Sequence, residues 1–132
     1  MSVRIAVLGI MLLMLCGCAQ SRYTWNGYDD KLYAYYKTPA EGDRFMEALD
    51  AVIKEGEGEN RVPPGIYAEY GYQLYERGRF PEAMTWYRKE RDKWPESRIL
   101  MDKMIALAQG KAARSQEGQR ITPPAAAGEV KP

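Results

Sequence analysis

Hydrophobic and polar residues follow two different patterns along this chain. From Ile5 to Leu15 every residue is uncharged, and most are aliphatic or methionine. A block of this length is typical of the core of a signal peptide and is too short to span a bilayer. Farther on, apolar residues recur three or four positions apart, which predicts amphipathic helices. We therefore predict an all-α fold of about five helices with no sheet.

A sequence motif recurs at a shift of 35 residues and defines pairs of helices. Residues 44–49 read Arg-Phe-Met-Glu-Ala-Leu, and residues 79–84 read Arg-Phe-Pro-Glu-Ala-Met. The same shift aligns residues 32–35 with residues 67–70, so the match extends to the preceding helix. A period of about 34 residues with two helices per unit resembles a tetratricopeptide array. The expected architecture is antiparallel helix pairs, about two units followed by a closing helix.

The second unit, residues 64–97, carries the clearer motif. Gly71 and Ala83 are small enough to let two helices approach closely, and Gly78 suits a tight turn between them. Glu90 departs from the tetratricopeptide pattern, because it stands where a packing alanine is expected. A carboxylate is costly to bury without a partner, which argues against a regular third repeat.

The other segments are assigned from the same periodicity. In the first unit the second helix is predicted over residues 42–53, followed by a solvated connector over residues 55–60, where acids and glycines alternate. This alternation lacks the spacing of an EF-hand calcium site. Residues 98–109 are predicted to form the closing helix, and the composition of residues 110–132 predicts a disordered tail. The apolar residues of the closing helix cluster toward one face: Ile99, Leu100, Met104, Ile105 and Ala108.

The end of the N-terminal apolar block looks like a bacterial lipobox. Residues 15–18 read Leu-Cys-Gly-Cys, a pattern in which the chain is cut before the last cysteine and the thiol receives diacylglycerol. The resemblance implies that Cys18 is the lipidated first residue of the mature protein. Ala19 follows it, and lipoproteins without Asp at that position usually go to the outer membrane. We expect a lipid-anchored protein on the periplasmic face of the outer membrane.

These assignments divide the chain into four parts. Residues 1–17 are the predicted signal peptide, and residues 18–29 are the lipidated cysteine and its tether. Residues 30–109 are the predicted helical domain, and residues 110–132 are the tail. An extended tether of this length holds the domain close to its membrane.

Charge and composition exclude several classes of function. Loss of Arg4 with the signal peptide leaves equal numbers of basic and acidic residues, which argues against a nucleic-acid partner. The chain has no histidine, so His-based catalytic triads and the commonest nitrogen ligand for metals are absent. A single cysteine in the mature chain rules out an internal disulfide. We expect no cofactor, no metal and no enzymatic activity.

Five short motifs together resemble a known family. They are Tyr-Thr-Trp-Asn-Gly-Tyr at residues 23–28, Leu-Tyr-Ala-Tyr-Tyr-Lys at 32–37, Val-Pro-Pro-Gly at 62–65, Gly-Arg-Phe at 78–80 and Trp-Pro-Glu-Ser at 94–97. From residue 22 to residue 105 the chain is similar to an uncharacterised family of small bacterial lipoproteins, classified only as a domain of unknown function. Members are often encoded beside a lipoprotein similar to the curli secretion channel. The resemblance therefore implies a role in an envelope assembly or export system.

The tetratricopeptide resemblance also implies a binding surface. Such units bind partners on the inward face of the first helix of each pair. Carried over to this chain, that face comprises Tyr33, Lys37, Ala68, Tyr72, Tyr75 and Glu76. Tyrosine offers a large contact area with few rotatable bonds, so the tyrosines are the candidate anchors, although they could instead pack on neighbouring helices. We expect a non-catalytic module that binds another envelope protein, for which the curli-channel-like lipoprotein is a candidate.

Two alternatives stay open at this point. A pilot-like lipoprotein that escorts an outer-membrane channel would use the same surface. A carboxylate-dependent hydrolase of envelope glycan would need two carboxylates at a defined separation within a cleft. Its candidate residues are Asp29, Asp30, Glu69 and Glu76. The first two are adjacent and do not share a helix face, and a helix pair this small offers little cleft.

Overall fold

The computed structural model describes residues 21–121, and the predictions for Cys18 and for the end of the tail lie outside this range. Five α-helices and no strand occur within these residues, which confirms the all-α prediction. Short 3-10 turns precede the second and the last helix. The helices are α1 (Tyr28–Lys37), α2 (Gly42–Gly58), α3 (Ile66–Glu76), α4 (Phe80–Lys93) and α5 (Arg98–Ile121).

Each helix packs against the next one along the chain, and the short connections make consecutive helices antiparallel. This succession is a helical repeat-like architecture. Two apolar clusters form the core. The first joins α2 to the start of α3 and contains Phe45, Leu49, Val52, Ile53, Val62, Ile66 and Tyr67. The second lies between α3, α4 and α5 and contains Leu74, Ala83, Tyr87, Met101, Ile105 and Ala108.

The close approach of α3 and α4 depends on Gly71. A Cβ atom on Gly71 would lie 2.8 Å from Cε1 of Tyr87 and 3.2 Å from the carbonyl oxygen of Ala83. The connection between these two helices passes through Gly78, whose φ of 74° lies in the left-handed region that favours glycine. The roles predicted for both glycines are confirmed.

Helix α2 is longer than the sequence predicts. It continues to Gly58, so the prediction of a solvated connector is wrong for residues 55–58. The reason is a close contact at Gly56, where a Cβ atom would lie 2.9 Å from the Val62 backbone. The chain then turns back, and the N–H of Arg61 donates to the carbonyl of Gly56 over 2.7 Å. Gly56 is a residue type common in loops, but here the absence of a side chain is required for its packing against Val62.

Helix α5 also departs from the prediction. It continues to Ile121, so the disordered tail predicted from residue 110 is corrected over residues 110–121, where Ala, Lys, Gln and Arg favour a helix. Its buried face differs from the predicted one as well. Ile99 and Leu100 are 74% and 58% exposed, whereas Ile105 and Ala108 are buried as predicted and Met101 joins them in the core.

The segment before α1 is packed onto the domain. The N–H of Thr24 donates to the carbonyl of Arg61 over 3.0 Å, and the Thr24 side chain is buried. The ring of Tyr23 meets the ring of Trp94 edge-on, with 5.8 Å between centroids. The predicted tether is therefore corrected, because residues 21–29 belong to the folded domain.

Candidate functional site

A groove of about 280 Å³ lies between α3 and α5, and its floor is formed by Tyr87 of α4. Ala68, Glu69 and Tyr72 line the α3 side. Leu100, Met101 and Met104 line the α5 side. Most of this lining is apolar, so the groove is suited to bind an apolar side chain of a partner.

Four of the six predicted binding residues lie in or beside this groove. Ala68 and Tyr72 line it directly. The ring of Tyr75 stacks on the ring of Tyr72 with 6.4 Å between centroids, and its other side packs on Phe80. The negative charge of Glu76, one turn after Tyr72, raises the pKa of the Tyr72 hydroxyl. Tyr72 is thus an exposed aromatic side chain that contacts the next turn of its own helix through Tyr75 and Glu76.

The other two predicted residues form a separate pair on α1. The ammonium of Lys37 lies 5.5 Å from the centroid of the Tyr33 ring, in a cation–π contact. Tyr33 is 62% exposed. Neither residue lines the groove between α3 and α5, and the structure does not bring this pair together with Tyr72.

The contribution of α5 to the groove was not predicted from the sequence. Leu100, Met104 and Leu107 recur at the spacing of one helix face, and Leu100 and Leu107 are exposed. A second stripe, shifted by one residue, contains the buried Met101, Ile105 and Ala108. Two adjacent apolar stripes on one helix are wider than a single core contact requires. This double stripe was the available signal that α5 has a second apolar surface.

The floor of the groove contains a polar atom without a partner. The Tyr87 side chain is fully buried, and its hydroxyl makes no hydrogen bond within the described residues. Burial raises the pKa of this hydroxyl, and the nearby Tyr75, Tyr72 and Glu76 raise it further. The hydroxyl therefore stays protonated beneath the groove.

The four candidate carboxylates of the hydrolase hypothesis are differently placed. Glu69 is half-buried in the groove wall and accepts a hydrogen bond from the hydroxyl of Tyr28. Burial raises the pKa of Glu69, and the bond from Tyr28 opposes that shift. Asp29 and Asp30 are exposed in the first turn of α1, and Glu76 is exposed at the end of α3. Of the four, Glu69 alone lines the groove.

Within residues 21–121, no group of three or more His, Cys, Asp or Glu side chains is arranged to hold a metal ion. Over the same range, none of the helices combines the length and the hydrophobicity needed to cross a bilayer.

Comparison with known sequences places the chain in a family. No curated protein and no solved structure matches it. The family described as "Domain of unknown function (DUF4810)" matches residues 22–104. The match contains α1 to α4 and the beginning of α5, and with them the groove residues Tyr72, Leu100 and Met104. The chain therefore belongs to the DUF4810 family, which is uncharacterised.

Proposed function

We propose that this protein is a membrane-anchored, non-catalytic interaction module that binds another envelope protein in the groove between α3 and α5. The observation that carries this proposal is the pair of exposed apolar side chains on opposite sides of the groove. Tyr72 is 44% exposed on α3, and Leu100 is 58% exposed on α5. Contiguous apolar surface of this kind is typical of protein-binding sites.

The groove is pre-organised for binding. Helices α3 and α5 both pack on α4, so their separation is set by the core. Tyr72 is held by stacking on Tyr75, which reduces the side-chain entropy that it would lose on binding. A rigid aromatic residue beside aliphatic side chains is a composition typical of binding hot spots.

The proposed anchor is a lipid on Cys18, in the outer membrane and on its periplasmic face. Residues 21–29 are packed on the domain, so only Ala19 and Gln20 lie between Cys18 and Ser21. The three Cα–Cα steps from Cys18 to Ser21 span at most about 11 Å, so the domain would lie against its membrane. A partner in the same layer suits this geometry, namely an outer-membrane channel or another lipoprotein. The curli-channel-like lipoprotein encoded near related proteins is one such candidate.

Photo-crosslinking in intact cells tests the proposal. A photoreactive amino acid replaces Tyr72, and the control places it at Arg88, which is exposed on α4. Lys89 is a poorer control, because its ammonium pairs with Glu57 and lies 4.7 Å from the centroid of the Trp86 ring. We expect one dominant envelope protein to be trapped from position 72 and not from position 88. Correct membrane location without a product specific to position 72 would contradict the proposal.

Deletion of the gene separates an accessory role from a pilot-like role. If the protein is an accessory module, the trapped channel or lipoprotein stays in the outer membrane but loses activity. If it is a pilot, the partner accumulates in another compartment. Membrane fractionation of the deletion strain, complemented with the wild type or with Tyr72→Ala, measures the difference.

A further inference from the structure

We propose that the partner segment in the groove between α3 and α5 is an amphipathic helix with an acidic edge toward α5 and a basic edge toward α3. This inference rests on the proposed function and specifies the chemistry of the partner. It follows from the shape of the groove and from charges of opposite sign on its two walls.

The groove has the shape and periodicity of a helix-binding site. Helices α3 and α5 are both antiparallel to α4, so they run parallel to each other with a furrow between them. On the α5 side the apolar residues Leu100, Met104 and Leu107 recur every three or four positions. An amphipathic helix presents apolar residues at the same spacing, which lets it pack along such a furrow.

The α5 wall is cationic. Helical geometry places Lys103, Lys111 and Arg114 within about 60° of Leu100 around the axis of α5. All three side chains are exposed, and none forms an ion pair with any other residue that the structure describes. Their charges are therefore available to carboxylates of a partner lying over Leu100 and Leu107.

The α3 wall is acidic. Glu69 lines the groove. Glu76 is exposed one turn beyond Tyr72, and its negative charge raises the pKa of the Tyr72 hydroxyl. The two walls thus carry opposite charge on either side of an apolar strip. A partner helix with acids on one edge and bases on the other would match both walls in one orientation only, so the charges also determine its direction.

The same charges disfavour two other occupants of the groove. In a symmetric dimer whose two-fold axis crosses the groove, Lys103, Lys111 and Arg114 of α5 would be brought close to the same residues of the second copy. An anionic membrane surface would attract α5 but would be repelled by Glu69 and Glu76 on α3. A helix with two edges of opposite sign avoids both conflicts.

A displayed peptide library supplies the probe. Short amphipathic helices carry fixed apolar positions, and their two edges are drawn at random from Glu, Lys and Gln. Selection uses the full-length chain purified from membranes. We expect enrichment of peptides with Glu along one edge and Lys along the other. Enrichment without an acidic edge would overturn the inference.

Charge reversal on α5 tests where the acidic edge lies. The triple variant Lys103→Glu, Lys111→Glu, Arg114→Glu should weaken binding of the selected peptide by about tenfold or more. It should also bind more tightly the peptide in which Glu and Lys are exchanged. Unchanged binding of both peptides would overturn the inference.

A matched control keeps the same change in net charge but places it elsewhere. The variant Lys31→Glu, Arg88→Glu, Arg98→Glu replaces three exposed cations that lie outside the groove. We expect it to bind the selected peptide as the wild type does, with the same decrease in affinity as ionic strength rises. Equal weakening in both triple variants would show a general charge effect and would contradict the inference.

Other outcomes separate failure of the inference from failure of the proposed function. Peptide binding that requires Tyr72 but has no edge preference would leave the proposed function standing and overturn the charge argument. Binding of phosphatidylglycerol vesicles in competition with the peptide would replace the helix with a membrane surface. Self-association that Tyr72→Ala abolishes would replace it with a second copy. Absence of peptide binding together with absence of a crosslink at position 72 would overturn both proposals.

Discussion

The Oε1 atom of Glu90 on α4 accepts a hydrogen bond from the backbone N–H of Gly65, 2.8 Å away at the N-terminus of α3. The same atom accepts a second bond from Oγ of Ser97 over 3.0 Å, just before α5. The first N–H groups of a helix have no partner within that helix, so the Glu90 carboxylate caps α3 from a neighbouring helix. One side chain therefore connects the three helices that form the groove.

Removal of this side chain should destabilise the domain. We expect Glu90→Ala to lower the free energy of unfolding by about 2–3 kcal/mol, because it removes the cap of α3 and leaves a cavity. Urea denaturation followed by circular dichroism measures the change. The control Glu96→Ala alters an exposed carboxylate nearby. Equal effects of the two substitutions would show that the cap contributes nothing particular.

Burial of Glu90 also predicts a dependence of stability on pH. Burial raises the pKa of Glu90 above its ordinary value of 4.5, and the bonds from Gly65 and Ser97 oppose the shift. Between the ordinary and the raised pKa the folded protein holds a proton that the unfolded chain releases, so stability falls as pH rises through this interval. Glu90→Gln keeps an acceptor oxygen but cannot ionise. We expect its Tm to rise relative to that of the wild type as pH increases above 4.5, in thermal unfolding at a series of pH values.

Gly71 should not tolerate a side chain. In Gly71→Ala the new Cβ would lie 2.8 Å from Cε1 of Tyr87, whose side chain is fully buried. We expect a loss of about 1–3 kcal/mol in the free energy of unfolding. The control Gly58→Ala adds a methyl group at a helical glycine with no atom within 4 Å, and it should be neutral or stabilising. Similar effects at both sites would contradict the close approach of α3 and α4.

Removal of the unpaired Tyr87 hydroxyl, unlike the substitution of Gly71, should not lower the stability of the domain. Tyr87→Phe removes a buried donor that has no partner in the described structure, so stability should be unchanged or should rise by about 1 kcal/mol. Tyr67→Phe is the matched control, because the Tyr67 hydroxyl donates to Oε1 of Glu57 over 2.9 Å. That variant should lose about 1 kcal/mol. Denaturant midpoints of the two variants measure the contrast, and a loss in Tyr87→Phe would indicate a partner for its hydroxyl.

The number of helices and the close approach of α3 and α4 could be predicted from the sequence, because both depend on local spacing. The small residues Gly71 and Ala83 permit the close contact, and Gly78 permits the turn, so all three act within a single helix pair. The role of Glu90 could not be obtained in this way. The sequence shows a carboxylate at a packing position, but its partners Gly65 and Ser97 become neighbours only when three helices are assembled.

The groove was predictable on one side only. Ala68 and Tyr72 follow from the position of the first helix of the second unit, whereas Leu100 reads as a core residue in the sequence. Whether an apolar side chain of α5 faces the core or the groove depends on a rotation of that helix by one residue. Period alone does not determine this rotation when two apolar stripes lie side by side.

Docking of the N-terminal segment predicts protection from protease. The ring contact between Tyr23 and Trp94 and the hydrogen bond from Thr24 to Arg61 hold the peptide bond after Arg22 against the domain. Loss of the ring contact in Tyr23→Ala should cost about 1 kcal/mol and raise the rate of tryptic cleavage after Arg22 about fivefold. The control Tyr36→Ala removes an exposed tyrosine on α1 and should leave that rate unchanged.

This prediction concerns function as well as local stability, because the docked segment would determine how far the domain can move from the lipid proposed on Cys18. In Tyr23→Ala the released residues would lengthen the connection to the membrane. Crosslinking from Tyr72 to a partner in the same membrane should then decrease, although the groove itself is unchanged. If cleavage after Arg22 is accelerated but the crosslink is not reduced, the position of the domain against the membrane does not matter for binding. If cleavage is as slow as in the wild type, the ring contact is not what holds the segment.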